Sequence, residues 1–130
     1  CIGHRLLTIL HLEPATLEVE RLYTTHPVAY PTQGTKPMRD TWWGDHVLVK
    51  GRPYIGYNAQ DIRQHFADHE VISGLGLHAI MNIPVRVAGQ TLGTLNLLHD
   101  EGFYGQQHVA TGKLLGTLLA PMLMRAQRSR

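Results

Sequence analysis

The sequence predicts an α+β domain, a sheet centred on one hairpin with helices packed around it. Two runs of strand-type residues, Ala79–Val87 and Thr91–Leu98, stand back to back around a short turn at Ala88-Gly89-Gln90. Two earlier runs, Arg5–His11 and Leu17–Thr24, have the same character. A last segment places Val109, Leu115, Leu118, Leu119, Met122 and Leu123 at helical spacing.

In the hairpin, Ala79, Met81, Ile83, Val85 and Val87 recur every second position, the period of a strand with one face buried. A tight turn at Gly89 would set Pro84 near Gly93. Proline cannot donate to the ladder and glycine permits close backbone approach, so that pair marks a special spot in the sheet. Asn82 and Asn96 interrupt the apolar runs, one on each strand.

Composition narrows the function classes. With 130 residues, 43% hydrophobic and 17% charged, the chain reads as a single globular domain, 1–130, able to bury a core. The formal net charge is +2, and the one basic cluster is the tail Arg125–Arg130. That tail reads as a solvated end or linker, so nucleic acid is not an expected partner. No apolar run reaches the ~20 residues of a membrane helix, and no signal-peptide pattern opens the chain. No membrane partner is expected, and a cytoplasmic setting is the default. The lone cysteine, Cys1, excludes an intramolecular disulfide and a CxxC motif. Because the chain starts at Cys rather than Met, an upstream segment is expected to be missing.

In the first half, Leu12-Glu13-Pro14-Ala15-Thr16 reads as the turn joining the two early strands. Leu17, Val19, Arg21 and Tyr23 share one face of the second strand. There Arg21 is either a snorkelling surface arginine or a charge that needs a partner or an anion. His26–Pro37 carries three prolines and a glycine, and reads as a long ordered loop of the kind that covers a site. Tyr30 and Lys36 are its candidates to close over a ligand. Asp40-Thr41 caps a helix through Trp42, Trp43, His46, Val47 and Leu48 to about Lys50. Adjacent tryptophans on a helix point to different sides, so one enters the core and the other meets a loop or cavity.

Gly51-Arg52-Pro53 ends that helix, and Tyr54–Tyr57 reads as a short edge strand. Asn58 or Asp61 caps a helix through Ile62, His65 and Phe66. Asp68 caps another through Val71 and Ile72, stopped by Gly74 and Gly76. His65 and His69 have metal-ligand spacing on a continuous helix. Asp68 breaks that helix and no third ligand is evident, so no metal is expected. In the last helix, Gly112 and Gly116 allow close packing on the sheet or contact with a second chain, and Pro121 interrupts the amide ladder.

Enzyme chemistry is poorly represented. There is no nucleophile elbow, P-loop or dinucleotide fingerprint, the carboxylates are scattered, and one terminal cysteine does not make a thiol enzyme. No cofactor is expected. Arg21, Tyr23, Tyr30, Lys36, Trp42, Asn82 and Asn96 together could line a small-molecule pocket. Each also has a structural reading, since tyrosines and tryptophans anchor cores and strand asparagines satisfy backbone.

The order of elements resembles that of the GAF domain family. The resemblance rests on the helix ending in Gly51-Arg52-Pro53 and on the late hairpin. The hairpin's marks are Asn82-Ile83-Pro84-Val85, the turn at Gly89, and Leu92-Gly93-Thr94-Leu95-Asn96. It implies an antiparallel sheet of five or six strands, with the N- and C-terminal helices together. It also implies a sensory or regulatory role, often as a dimer, through a pocket between the sheet and its covering loops. Family members that attach bilins need a suitably placed cysteine, and Cys1 lies outside the pocket-forming loops. The free methionine sulfoxide reductase branch uses several cysteines, which this chain does not supply. The signature of the cyclic-nucleotide branch is missing; Asp68-His69-Glu70 follows Phe66 only loosely.

Two readings from different classes follow. The first is a non-catalytic sensor module that binds a small polar or anionic metabolite and signals through its terminal helices, as a homodimer. The second is an interaction or dimerisation module with a collapsed pocket. An enzyme ranks last.

Overall fold

The computed structural model describes residues 2–128. Cys1 and the end of the basic tail, Ser129 and Arg130, lie outside the described residues. The strands are β1 (Leu6–Glu13), β2 (Glu18–Thr24), β3 (Thr35–Pro37), β4 (Tyr54–Gly56), β5 (Ala79–Val87) and β6 (Gln90–His99). They form one six-stranded sheet in the order β3-β2-β1-β6-β5-β4. Every adjacent pair is antiparallel. The helices are α1 (Ala59–His65), α2 (His69–Gly74) and α3 (Val109–Arg128). A π-helical turn spans Gly44–Val49, and a 3-10 turn, Gln106–His108, leads into α3. The described residues ahead of β1 hold no helix, and no helix is long and apolar enough to cross a membrane.

The hairpin forms the sheet's centre together with β1. Ala88 and Gly89 both have positive φ, 52° and 78°, the signature of a two-residue turn whose twist matches its strands. Gln90 therefore belongs to β6 rather than to the turn. Val85 pairs with Gly93 and Arg86 with Thr91, leaving Leu92 as the extra residue of a bulge. That bulge moves the register by one, so Pro84 faces Thr94 and not Gly93. Pro84 lies past the reach of β4, which pairs only with Ile80, Met81 and Asn82. Its missing N–H thus costs the outer ladder nothing. Gly93 meets a different constraint, since a Cβ there would run into the Leu10 carbonyl of β1.

Both faces of β5 are covered, not one. Ala79, Met81, Ile83 and Val85 join Ile9, Leu95 and Leu97 beneath α3. On the other face, Ile80 packs with Leu6, Ile62, Ile72 and Leu98. A third cluster of Leu12, Val19, Trp43, Val47 and Leu48 continues along that second face. The Gly112/Gly116 pair settles α3 onto the sheet. A Cβ at Gly112 would stand 2.8 Å from Ile83 Cγ1, and one at Gly116 3.3 Å from Val85 Cγ2. Leu118, which the spacing groups with the buried set, is 69% exposed.

The second bulge has a larger consequence. Leu10 pairs with Arg21 and Ile9 with Tyr23, so Leu22 is an extra residue of β2. Residues before it keep the expected alternation, with Val19 and Arg21 on the face away from α3. Beyond it the alternation inverts, and Tyr23 shares the α3 side with its partner Ile9.

Gly93→Ala should lower unfolding stability by about 3 kcal/mol, because the collision is with backbone that has no room to move. Gly89→Ala, at φ 78° with nothing within 4 Å, should cost only about 1 kcal/mol. Urea titration of both variants compares them. Equal losses would mean that β1 does not approach β6 so closely.

Candidate functional site

The face of the sheet away from α3 carries a row of polar side chains where apolar ones would be ordinary. Thr8, Asn96 and Asn82 are direct cross-strand partners on β1, β6 and β5. All three are buried. The Trp43 indole N–H donates to Asn82 Oδ1 at 3.0 Å. Asn82 Nδ2 donates to Asn96 Oδ1 at 2.7 Å, and Asn96 Nδ2 to Thr8 Oγ1 at 3.2 Å. An indole nitrogen can only donate, so Trp43 fixes the orientation of Asn82, and through it that of Asn96. The chain of bonds runs in one direction and ends on the Thr8 hydroxyl.

Trp43 reaches this row because the chain enters the π-helical turn under tight local control. Asp40 takes a left-handed backbone, φ 64°. Thr41 Oγ1 accepts from the Gly44 amide at 2.9 Å and donates to the Met38 carbonyl at 2.7 Å. A Cβ at Gly44 would strike that same carbonyl. Neighbouring helical residues point ~100° apart, so with Trp43 inside, Trp42 faces out. Its ring stacks between His46 and His65, at centroid distances of 4.6 and 4.1 Å.

A cavity of about 210 Å³ opens above the polar row. Its walls are mostly apolar, with Leu10, Val19, Met38, Trp43, Phe66 and Ile72 among them. The charged groups gather at the end nearest the Pro-rich loop. Tyr30 OH donates to Asp68 Oδ2 at 2.7 Å, and Lys36 Nζ stands 3.6 Å from Asp68 Oδ1. Asp68 occupies the N-cap position of α2 but makes no capping bond with its side chain; the carboxylate serves the loop instead. Burial and the bond to Asp68 both push the Tyr30 pKa well up, so Tyr30 stays a protonated donor. Arg21 Nη1 donates to the Pro31 carbonyl at 3.0 Å, and its guanidinium carbon lies 4.8 Å from the centre of the Tyr30 ring. Burial holds the Arg21 pKa below its ordinary value, partly opposed by Tyr30 and Asp68.

Of the residues singled out by sequence, Arg21, Tyr30, Lys36, Asn82 and Asn96 come together around this cavity. Tyr23 and Trp42 do not. Tyr23 is turned to the other face by the β2 bulge, and Trp42 points outward; both are about half exposed, 49% each. Thr8, Trp43 and Asp68 were not singled out. The signal for Thr8 was a lone hydroxyl inside the apolar run of β1; for Asp68 it was a capping residue that also stands beside a loop. His65 and His69 sit on separate helices, and the described residues contain no cluster of three ligand-type side chains that could hold a metal. The end of the Pro-rich segment, expected as loop, pairs with β2 as the edge strand β3.

The sequence profile of the GAF domain matches residues 6–124. The chain belongs to the GAF domain family. Among similar solved structures is a GAF domain/HD domain protein from Geobacter sulfurreducens, with TM-score 0.77 and 10% identity over 97% of this chain and 84% of that one. The GAF domain of a two-component sensor histidine kinase from Bacillus halodurans gives TM-score 0.73 and 15% identity, covering 98% and 86%. A type II free methionine-R-sulfoxide reductase from Thermoplasma acidophilum gives TM-score 0.73 and 13% identity, covering 94% and 80%. At these identities the likeness is one of fold. No curated protein sequence matches the chain.

Trp43→Phe should destabilise the domain by about 1–3 kcal/mol, because it leaves the buried Asn82 carbonyl oxygen without its donor. Trp42→Phe should change stability by less than about 0.5 kcal/mol, as usual for a surface position. Thermal or urea unfolding distinguishes them; the opposite ranking would place the wrong tryptophan in the core.

Proposed function

We propose that this GAF domain is a non-catalytic sensory module that holds a small polar or anionic metabolite in the cavity between sheet and loop. The observation that carries the reading is a half-buried arginine facing an apolar-walled cavity. Arg21 engages no carboxylate among the described ion pairs, whereas Lys36 and Tyr30 share Asp68. An apolar pocket with a few convergent polar groups suits a small ligand. At about 210 Å³ it falls below the ~300–1,000 Å³ of drug-sized sites, which favours a small metabolite. Arg21, Tyr30, Lys36, Asn82 and Asn96 are the proposed ligand-facing groups; Thr8, Trp43 and Asp68 join them.

Signalling would pass through α3. The strands that floor the cavity, β5 and β6, carry α3 on their other face, with Gly112 seated on Ile83 and Gly116 on Val85. A ligand that shifts the central strands would thereby shift α3. The similar structure from a two-component sensor histidine kinase is in keeping with this role. The similar reductase is an enzyme; the single cysteine of this sequence favours the non-catalytic reading. A cytoplasmic homodimer is the proposed working form. Leu114 and Leu118 support it, one helical turn apart on α3 and 63% and 69% exposed.

Native mass spectrometry of the purified protein, before and after denaturation, tests both proposals. The expected result is a dimer whose subunits release a small molecule on unfolding, with Arg21→Gln carrying less of it. An empty protein whose melting temperature no small metabolite raises would favour an interaction module instead.

A further inference from the structure

The charged end of the cavity narrows the ligand class, on the reading that the cavity is a ligand site. Asp68 accepts from Tyr30 OH at 2.7 Å on one oxygen, while Lys36 Nζ stands 3.6 Å from the other, which is buried and takes no hydrogen bond among the described residues. Arg21 and Lys36 against Asp68 leave one uncompensated positive charge at this end. Arg21 feels Asp68 only through space, and its direct contacts are a carbonyl and the face of a tyrosine ring. Its Nε is buried and has no acceptor among the described residues.

The position of the free nitrogen matters. A guanidinium presents Nε–H and one Nη2–H side by side along a single edge, the fork that grips a carboxylate with two parallel bonds. In Arg21 the Pro31 carbonyl takes the other terminal nitrogen, Nη1, at 3.0 Å. The edge that includes Nε has no acceptor for that nitrogen among the described residues. Away from this end the walls turn apolar, with Met38, Trp43, Phe66 and Ile72. Phosphate esters and other dianions would exceed the one spare positive charge.

We propose that the cavity takes a small monocarboxylate with a hydrocarbon body, its carboxylate on the Nε edge of Arg21 and its body against Trp43, Phe66 and Ile72. A carboxylate offers the guanidinium edge two charged acceptor oxygens where the amide offers one neutral oxygen, and that difference sets the size of the discrimination.

The probes are 3-methylbutanoate, its isosteric amide 3-methylbutanamide, and inorganic phosphate. Each is titrated into the whole protein while the Trp43 indole N–H is followed by two-dimensional NMR. The carboxylate should shift that resonance and bind at least about tenfold more tightly than the amide. Phosphate should not displace it. Arg21→Gln should lose the preference for carboxylate over amide. Arg21→Lys, which keeps the charge without the fork, should retain only part of it. An amide that binds as well as the acid, or a phosphate that displaces it, overturns the monocarboxylate assignment while leaving the cavity a ligand site. If none of the probes moves the Trp43 resonance at millimolar concentration, the ligand-site reading fails, and this inference with it. The comparison of probes on the unaltered protein stands even if the Arg21 variants fold poorly.

Discussion

Two asparagine side chains lie at the centre of a buried sheet face, and the cost of an unpaired buried amide, about 1–3 kcal/mol, shapes what surrounds them. Asn82 and Asn96 satisfy each other directly at 2.7 Å, which is possible only because the hairpin register sets them opposite. Each then needs one more partner, and the two come from opposite sides. Thr8 on β1 supplies the acceptor and Trp43 the donor. A slip of one residue in either strand pair would turn one of these amides to the other face and break the row.

The covering loop is fastened by a different kind of contact. Backbone bonds tie it to β2, with Arg21 N–H donating to the Gly34 carbonyl and Gln33 N–H to the Arg21 carbonyl. Beyond these, its hold on the α1–α2 junction passes through Asp68, which receives Tyr30 and faces Lys36. Lys36 and Asp68 are partly exposed, so the ion pair itself contributes little to stability, whereas the Tyr30 ring is buried in one cluster with Ile62 and Ile72.

The sequence made the elements legible more readily than the register. Strong alternation identified the hairpin strands within about two residues, and Asn58 caps α1 through the Asp61 amide as capping preferences imply. What escaped were single-residue irregularities. A bulge at Leu22 reversed the direction of Tyr23, and another at Leu92 moved Pro84 from Gly93 to Thr94. No propensity announces a bulge at a leucine. The two tryptophans posed a similar problem, since helical geometry says that they diverge but not which one turns inward. Tertiary partners decided it: Asn82 awaits an indole N–H inside, while two imidazoles flank Trp42 outside. Arg21 was legible as a charge on an apolar face, whereas the partnership of Tyr30 and Asp68, 38 residues apart, was not.

The polar row makes a direct claim about two protons. In a hydrogen-exchange measurement by NMR, the indole N–H of Trp43 should persist far longer than that of Trp42, because one is bonded within the sheet face and the other lies at a half-exposed surface. Equal and rapid exchange of both, or greater protection of Trp42, would mean that the row does not hold the cavity floor.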